Sequence, residues 1–581
     1  MKKLAKGHAC YTAQKQTRRR GDHLVAALHN KRQRQHLGTQ VGDMWKTDQI
    51  RIPVLKSHGP SRGTGRVAER IGQEDLERPA RMQEERLAEM AVVMASCMVS
   101  ILFLFPLIAA MSAEEPPGCK IRITNRGLEM LKYETQKFVV EELSNITMPE
   151  MKGKEGHFQY TIKEVKINEL NLTYADLAFQ PGLGLLFNVQ NSSIALSFRR
   201  HILYWLFYDT GAINASAEGV NIHTVLHMTR DELGRLKISN ITCDASIAKM
   251  KMKFTGTLGR VYDFLATFLT TGMRFLLNQQ ICPVMNHAGL VLINSLLETI
   301  PVRTEVDEYV GIDYSLLSDP VVTSRSLDMD FRGMFFELGN ESNTLVNYAI
   351  NPIVREYDRM VYLALSEYFF DSGLYSYYKA GIFQMNIANE HMPKDLEMLF
   401  RTTYFGTIMM INPALVEYPI SLQLELNSAP KTTVKTSGVT VAITAIVTVM
   451  VLPPGKAPVQ LSSMTIVAKF NAKVSMKGKR LGVHADLRRF KIYSNQSALE
   501  SLALIPLQVP LKTMLQISIV PIINNWTKRG VAIPLADGMD FIEEVVEYHN
   551  GYLIIGANLH FSKGLREMIE RKIQADAENA I

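Results

Sequence analysis

Residues 259–301 read GRVYDFLATFLTTGMRFLLNQQICPVMNHAGLVLINSLLETIP. Apolar residues recur at helical spacing around most of the circumference, which predicts one long helix, kinked at Pro283 and stopped before Pro301. Phe264, Leu265, Phe268, Leu269, Phe275, Leu276 and Leu277 offer more apolar girth than one sheet face needs. A large ordinary core would absorb that surface. So would a slot between the helix and a curved sheet, filled by acyl chains in place of side chains. Exposed acyl chain costs about 0.8 kcal/mol per CH₂, so a lipid carrier has to enclose nearly the whole tail.

The chain writes this plan twice. Residues 497–526, SALESLALIPLQVPLKTMLQISIVPIINNW, form a second long apolar helix, broken by Pro506, Pro510 and Pro521 and ending before Pro534. Upstream of the first long helix, Leu128, Leu131, Phe138, Val139, Leu143 and Ile146 recur at helical spacing. Upstream of the second, MVYLALSEYFFDSGLYSYYKAG at 360–381 reads as a strand running into a helix. Strands lie between. In HFQYTIKEVKINELNL (157–172) the alternating set Phe158, Tyr160, Ile162 slips phase to Val165 and Ile167, then to Leu170 and Leu172, as bulged, curved strands do. In IVAKFNAKVSM (466–476) the alternation is clean. Each half thus starts near a helix, passes through curved antiparallel strands and closes with a long proline-interrupted helix, an α+β internal duplication.

Charge is unevenly spread. Of the chain's 64 Lys+Arg and 57 Asp+Glu, residues 1–89 hold 19 and 10, and the remaining 492 residues are close to neutral. A phosphate-backbone binder needs many basic contacts, so nucleic acid is excluded as the partner of the body. Residues 90–113, MAVVMASCMVSILFLFPLIAAMSA, are uncharged and end in small residues, which predicts a cleaved signal peptide, with a signal-anchor helix as the alternative. The basic leader 1–89 reads as a disordered or gene-model extension. Eight N-x-S/T sequons follow, at Asn145, Asn171, Asn191, Asn214, Asn240, Asn340, Asn495 and Asn525. Three cysteines remain in the mature chain, Cys119, Cys243 and Cys282, enough for one disulfide and one thiol. Together these features predict a secreted glycoprotein. No G-x-S-x-G, H-E-x-x-H, C-x-x-C or P-loop pattern occurs, and the 14 His are scattered. The expectation is therefore a non-enzyme without catalytic residues, metal or cofactor.

One stretch breaks the strand rule. Residues 202–208, ILYWLFY, run apolar or aromatic without alternation. Either this strand is buried on both faces, or Tyr204, Trp205, Leu206 and Phe207 meet a lipid surface. In a mixed form the strand ends are packed and Trp205 and Phe207 stand out in a turn.

Several long phrases carry a resemblance: PGCKIRITNRGLEMLKYE (117–134), INASAEGV (213–220), GMRFLLNQQICPV (272–284), VGIDYSLLSDP (310–320), LDMDFRGMFF (327–336) and SNQSALESLALIPLQVPLKTMLQI (494–517). They resemble the family of bactericidal/permeability-increasing protein, lipopolysaccharide-binding protein and cholesteryl ester transfer protein, over about 114–575. The resemblance implies a boomerang of two barrel-like domains, 114–320 and 361–560, joined by a central sheet with a linker at 321–360 and followed by an amphipathic tail at 561–581. It implies an apolar lipid pocket in each domain and a Cys243–Cys282 disulfide that leaves Cys119 free. The expected pocket residues are Leu128, Leu131, Phe138, Phe264, Phe268, Phe275 and Leu276 in the first half, and Phe369, Leu511 and Leu515 in the second. Endotoxin binders of this family carry cationic first-domain tips, whereas residues 119–320 here hold 20 Lys+Arg against 21 Asp+Glu. The expected function is therefore secreted transfer of phospholipids between lipoproteins and membranes, with Tyr204–Phe207 docking transiently on the lipid surface. The alternative is lipopolysaccharide binding in innate immunity. No protein partner is legible.

Overall fold

A computed structural model describes residues 115–254, 259–387, 394–399, 418–495, 504–536 and 538–579. The leader and the 90–113 run lie outside them. Two curled antiparallel sheets, one in each half, accompany a central antiparallel sheet, and the long helices lie against the curled sheets.

The central sheet has six strands in the order Val321–Val322, Ser326–Phe331, Cys119–Thr124, Val361–Ser366, Tyr552–Phe561 and Met539–His549. It draws on the beginning, middle and end of the described residues. Val361–Ser366 is buried at every position, which is why VYLALS shows no alternation. Its partner Cys119–Thr124 runs antiparallel, with Ile121 opposite Leu363 at the centre. Each of these two strands passes without a loop into a helix: α1, Asn125–Ser144, and α2, Glu367–Lys379.

The junctions are reciprocal. The Thr124 N–H donates to the Met360 carbonyl, just before one strand, and the Ser366 N–H donates to the Gly118 carbonyl, just before the other, both at 3.0 Å. Neither hydroxyl caps its own helix. Thr124 Oγ1 donates to Arg359 O at 2.6 Å and Ser366 Oγ to Gly118 O at 3.3 Å, and both residues are buried. The duplication read in the sequence is thus a local two-fold arrangement about Ile121 and Leu363. Arg122 clamps the sheet through a bidentate pair to Asp328, with both N–O distances 2.6 Å.

The first curled sheet runs in the order Met151–Glu155, Phe158–Asn171, Gly184–Tyr204, Phe207–Arg230 and Leu236–Phe254, with Tyr174–Gln180 also paired to Gly184–Tyr204. Register shifts at Lys163/Lys166 and Ile167/Glu169 place β-bulges at the phase slips of the sequence. Helix α3, Gly259–His287, lies against this sheet and buries Leu269, Met273, Leu277, Ile281 and Met285, a stripe spaced every four residues. It runs through Pro283 into a π-helical turn, Ala288–Ile293, and ends in Asn294–Leu297.

The second curled sheet runs Met385–Ile387, Ile420–Leu426, Gly438–Val451, Val459–Lys477, Arg480–Ser494 and Val531–Ala532. In Val459–Lys477 every second residue from Met464 to Met476 is buried. Its long helix is α4, Ile505–Met514, followed by a π-helical turn Leu515–Ile519 and a last stretch Val520–Lys528. Pro283 precedes its π turn by five residues, and Pro510 does the same. The missing proline N–H opens the hydrogen-bond ladder at the same place in both copies.

A disulfide joins Cys243 in Leu236–Phe254 to Cys282 in α3, with a Cα–Cα distance of 5.6 Å. Cys119 is free and fully buried in the central sheet, where burial pushes its thiol far up and makes it unreactive.

Two outcomes follow from these junctions. Thr124→Val and Ser366→Ala each leave a buried acceptor without its hydroxyl and should destabilise the protein by about 1–2 kcal/mol, read from the midpoint of chemical denaturation. Replacing both Cys243 and Cys282 by Ala removes a crosslink closing a 39-residue separation. In the chain-entropy account this costs about 4 kcal/mol, seen as a lowered midpoint under non-reducing conditions.

Candidate functional site

The first half encloses a cavity of about 300 Å³. Its walls are α1 (Leu131, Phe138, Val139), alternate residues of the curled sheet (Phe187, Leu226, Met228, Ile238), and the central sheet (Ile121, Ile123, Met329). The end of the long helix supplies Met285, Ala288, Gly289, Ile293, Leu296 and Leu297, a run of about 18 Å at helical rise. One leaflet of a bilayer core is about 15 Å thick, so the slot matches the length of an acyl tail in a membrane. Gly289 permits the close approach here, since a Cβ on it would stand 2.2 Å from Ile241 Cδ1. Of the 39 lining residues only Thr135, Thr224, Arg235 and Tyr314 carry polar side chains. The Tyr314 hydroxyl donates to Ala532 O at 2.9 Å. Thr224 Oγ1 and Arg235 Nε are buried and, among the described residues, have no hydrogen-bond partner. An unsatisfied buried polar group of this kind costs about 1–3 kcal/mol.

The position of this slot corrects several expectations. Leu131 and Phe138 line it, whereas Leu128 is buried in the core beside it. Phe268 and Phe275 point outward from α3, because the face buried by the stripe Leu269–Met285 lies between them and the sheet. Phe268 instead meets the edge of Tyr160, at 5.8 Å between ring centres. Leu276 is half-buried and outside the lining, and the side chain of Phe264 lies outside the described residues. Phe369 does not belong to the second half's core. It sits in the first turn of α2, where the chain has just left the central sheet, and packs edge-on against Phe335 at 5.2 Å. Leu511 is buried and Leu515 half-buried against the second core, with Leu504 and Leu507.

The amphipathic tail forms helix α5, Leu565–Asn579, and covers the first cavity. Leu565 and Met568 line the cavity, Met568 and Ile569 pack with Phe138, Ala288 and Leu296, and Arg566 pairs with Glu142 of α1 at 3.4 Å. The strand residues of the wall left no usable signal in the sequence, since alternation marks an inward face without saying what that face meets.

The stretch 202–208 is a hairpin. Strand Gly184–Tyr204 ends and Phe207–Arg230 begins within it, so Trp205 and Leu206 form the turn. Trp205 has φ +55°, a conformation that costs a residue with a Cβ about 1–2 kcal/mol. Trp205 is 66% exposed, Leu206 94%, Phe207 78% and Tyr208 67%. The rings behind the turn are ordered: Phe158 stacks on Tyr204 at 4.1 Å and His157 meets the edge of Trp205 at 5.3 Å. Most of the nearby cations are paired. Arg200 pairs with Asp209 at 3.0 Å, Arg199 with Glu164 at 3.1 Å, and Lys152 and Lys163 share Glu150 at 2.9 and 3.3 Å. The tip is therefore an apolar, nearly neutral projection.

Comparison with known proteins matches this geometry to one family. The model of the LBP / BPI / CETP family N-terminal domain matches residues 127–300, and that of the C-terminal domain matches 304–561. The chain is 55% identical to the phospholipid transfer protein of Homo sapiens over 473 residues, covering 81% of this chain and 96% of that one. It is 52% identical to the phospholipid transfer protein of Mus musculus, covering 82% and 97%. Human lipopolysaccharide-binding protein is more distant, at 23% over 77% of this chain and 94% of the other. A crystal structure of lipopolysaccharide binding protein shares the fold, with a TM-score of 0.53 at 22% identity over 77% of this chain and all of that one. The chain belongs to the LBP / BPI / CETP family.

Proposed function

We propose that the protein is a secreted phospholipid carrier that exchanges lipid between lipoprotein and membrane surfaces by enclosing acyl tails in apolar slots. The observation that carries this reading is the cavity of the first half, long enough for a tail and apolar in all but four of its side chains. The high identity to phospholipid transfer proteins over nearly their whole length supports it. Transfer requires no bond to be made or broken, and the reading is that of a carrier in which side chains solvate a tail. Leu511 on α4 and Leu515 in the π-helical turn after it are the corresponding lining of a second slot.

Docking falls to the tip Tyr204–Phe207. Trp and Tyr favour the boundary between water and lipid. The positive φ at Trp205 holds a large ring at a turn position that glycine fills without strain, and the ring's outward projection is the return on that strain. The paired cations support neutral lipid surfaces over the phosphates of endotoxin. All eight sequon asparagines, Asn145, Asn171, Asn191, Asn214, Asn240, Asn340, Asn495 and Asn525, are exposed, as N-glycosylation in the secretory pathway needs.

Substituting Trp205→Gly together with Phe207→Ser removes the apolar rings and relaxes the turn. The thermal midpoint should stay within a few degrees, while transfer of labelled phosphatidylcholine from vesicles to lipoproteins falls at least about tenfold, the loss expected when two partly inserted aromatic side chains are removed. A misfolded variant would return the hairpin to the buried-strand reading. Tight lipopolysaccharide binding by a wild-type protein that transfers no phospholipid would overturn the proposed function. Enzymatic removal of N-glycans from secreted protein should lower its apparent mass in several steps, each abolished by one Asn→Gln substitution at a used sequon; no change in mass would remove the glycoprotein reading.

A further inference from the structure

Arg235 is the only ionisable-chain cation among the residues that line the first-half slot, and no carboxylate lines the slot with it. Its Nε is buried without a hydrogen-bond partner among the described residues. Of the two acidic side chains in its turn, Glu232 is exposed and makes no ion pair with Arg235, and Asp231 Oδ1 accepts the backbone N–H groups of Leu233 and Arg235, at 2.9 and 2.7 Å. Other described arginines of this half have partners. Arg122 holds Asp328, Arg200 holds Asp209, and Arg230 donates to the carbonyls of Leu316 and Leu317. Arg235 is half-buried, so its guanidinium sits at the rim of an apolar wall with its Nε unsatisfied, and an anion arriving with the ligand would supply the missing counter-charge.

Its place in the fold says which part of the ligand that anion is. Arg235 follows the turn joining strands Phe207–Arg230 and Leu236–Phe254, and Leu233 in that turn is exposed. Solvent therefore lies beside this end of the slot. Thr224 and Phe187, both fully buried, lie about 20 Å further along the strands. An amphiphile enters this shape in one orientation, with its tail toward Phe187 and its charged group at Arg235.

We propose that Arg235 is the headgroup anchor of the slot and receives the phosphate of a glycerophospholipid whose acyl tail lies along Met285–Leu297. The planar guanidinium fork fits two phosphate oxygens at once, which a single ammonium does not. The inference rests on the carrier reading above and adds the residue that distinguishes a phospholipid from a neutral lipid with the same tails.

The test uses the full-length glycoprotein as wild type, Arg235→Met and Arg235→Lys. Each is incubated with vesicles carrying a trace of diazirine-tailed phosphatidylcholine, diazirine-tailed diacylglycerol or diazirine-tailed fatty acid. After irradiation, label on the slot peptides spanning 177–302 is quantified by mass spectrometry. Arg235→Met should lower phosphatidylcholine labelling about tenfold, the usual effect of losing one charge-assisted hydrogen-bonded contact. Arg235→Lys should lower it less, and diacylglycerol labelling should not change. Equal losses for both lipids would make Arg235 a wall residue and overturn the anchor, as would unchanged phosphatidylcholine labelling. A loss confined to the fatty acid would replace phosphate by carboxylate. Competition by millimolar inorganic phosphate in the wild type alone would reassign the site to free phosphate. If the wild type takes up none of the three lipids, the carrier reading itself fails, an outcome separate from any failure of the anchor.

Discussion

The rest of the fold depends on one antiparallel contact, the pairing of Cys119–Thr124 with Val361–Ser366. Each strand ends in the residue just before its helix, and each of those residues donates its N–H to the carbonyl preceding the opposite strand. Slipping the register by one residue would break both junction bonds together and turn every side chain of two buried strands to the wrong face. The angle at which α1 and α2 leave the sheet is thereby set for both halves at once. Arg122 and Asp328 fix the neighbouring strand by a charge-assisted pair that is mostly withdrawn from water. Strands Tyr552–Phe561 and Met539–His549 then extend the sheet on its other side.

The slot forms where the long helix departs from regular geometry. Up to Met285 the helix presents one stripe to the curled sheet and packs closed. Past Pro283 it widens into the π turn, Gly289 brings the backbone against the strand carrying Ile241, and the lining turns from core into cavity wall. The Cys243–Cys282 bond sits just before this point and holds the helix to the sheet next to Pro283, which supplies no backbone N–H to the helix. The second half repeats the spacing of proline and π turn at Pro510 and Leu515.

Much of this was legible in the residues because it depends on local periodicity. The spacing of Leu128 to Ile146 marks α1, the phase slips at Val165 and Leu170 mark the bulges, and the alternation of Ile466 to Met476 marks a strand. ILYWLFY announced an exception without stating its form, since an uninterrupted aromatic run fits a doubly buried strand or an exposed hairpin, and only pairing partners distinguish them. The slot was misplaced for a related reason. A helix apolar on several faces, with Phe268 and Phe275 on one and Leu277 on another, does not say which face meets the sheet. Arg235 and Thr224 look ordinary in sequence, and their isolation is visible only once their neighbours are assembled. The packing of α5 on α1 joins residues separated by more than 400 positions, beyond the reach of any local pattern.

That last contact has a consequence for synthesis. The slot's walls include Pro534, Leu559, Leu565 and Met568, so they are incomplete until the ribosome has released almost the entire polypeptide. A nascent chain paused after the first curled sheet holds α1 and the long helix against an open apolar trough, with Val361–Ser366 and Tyr552–Phe561 still missing from the central sheet. Such an intermediate exposes both greasy surface and an unpaired edge strand, the two features that drive aggregation, for the whole time the second half takes to emerge. The order of the chain therefore leaves this surface open until the last strands and α5 arrive, a hazard that the finished, near-neutral protein does not reveal.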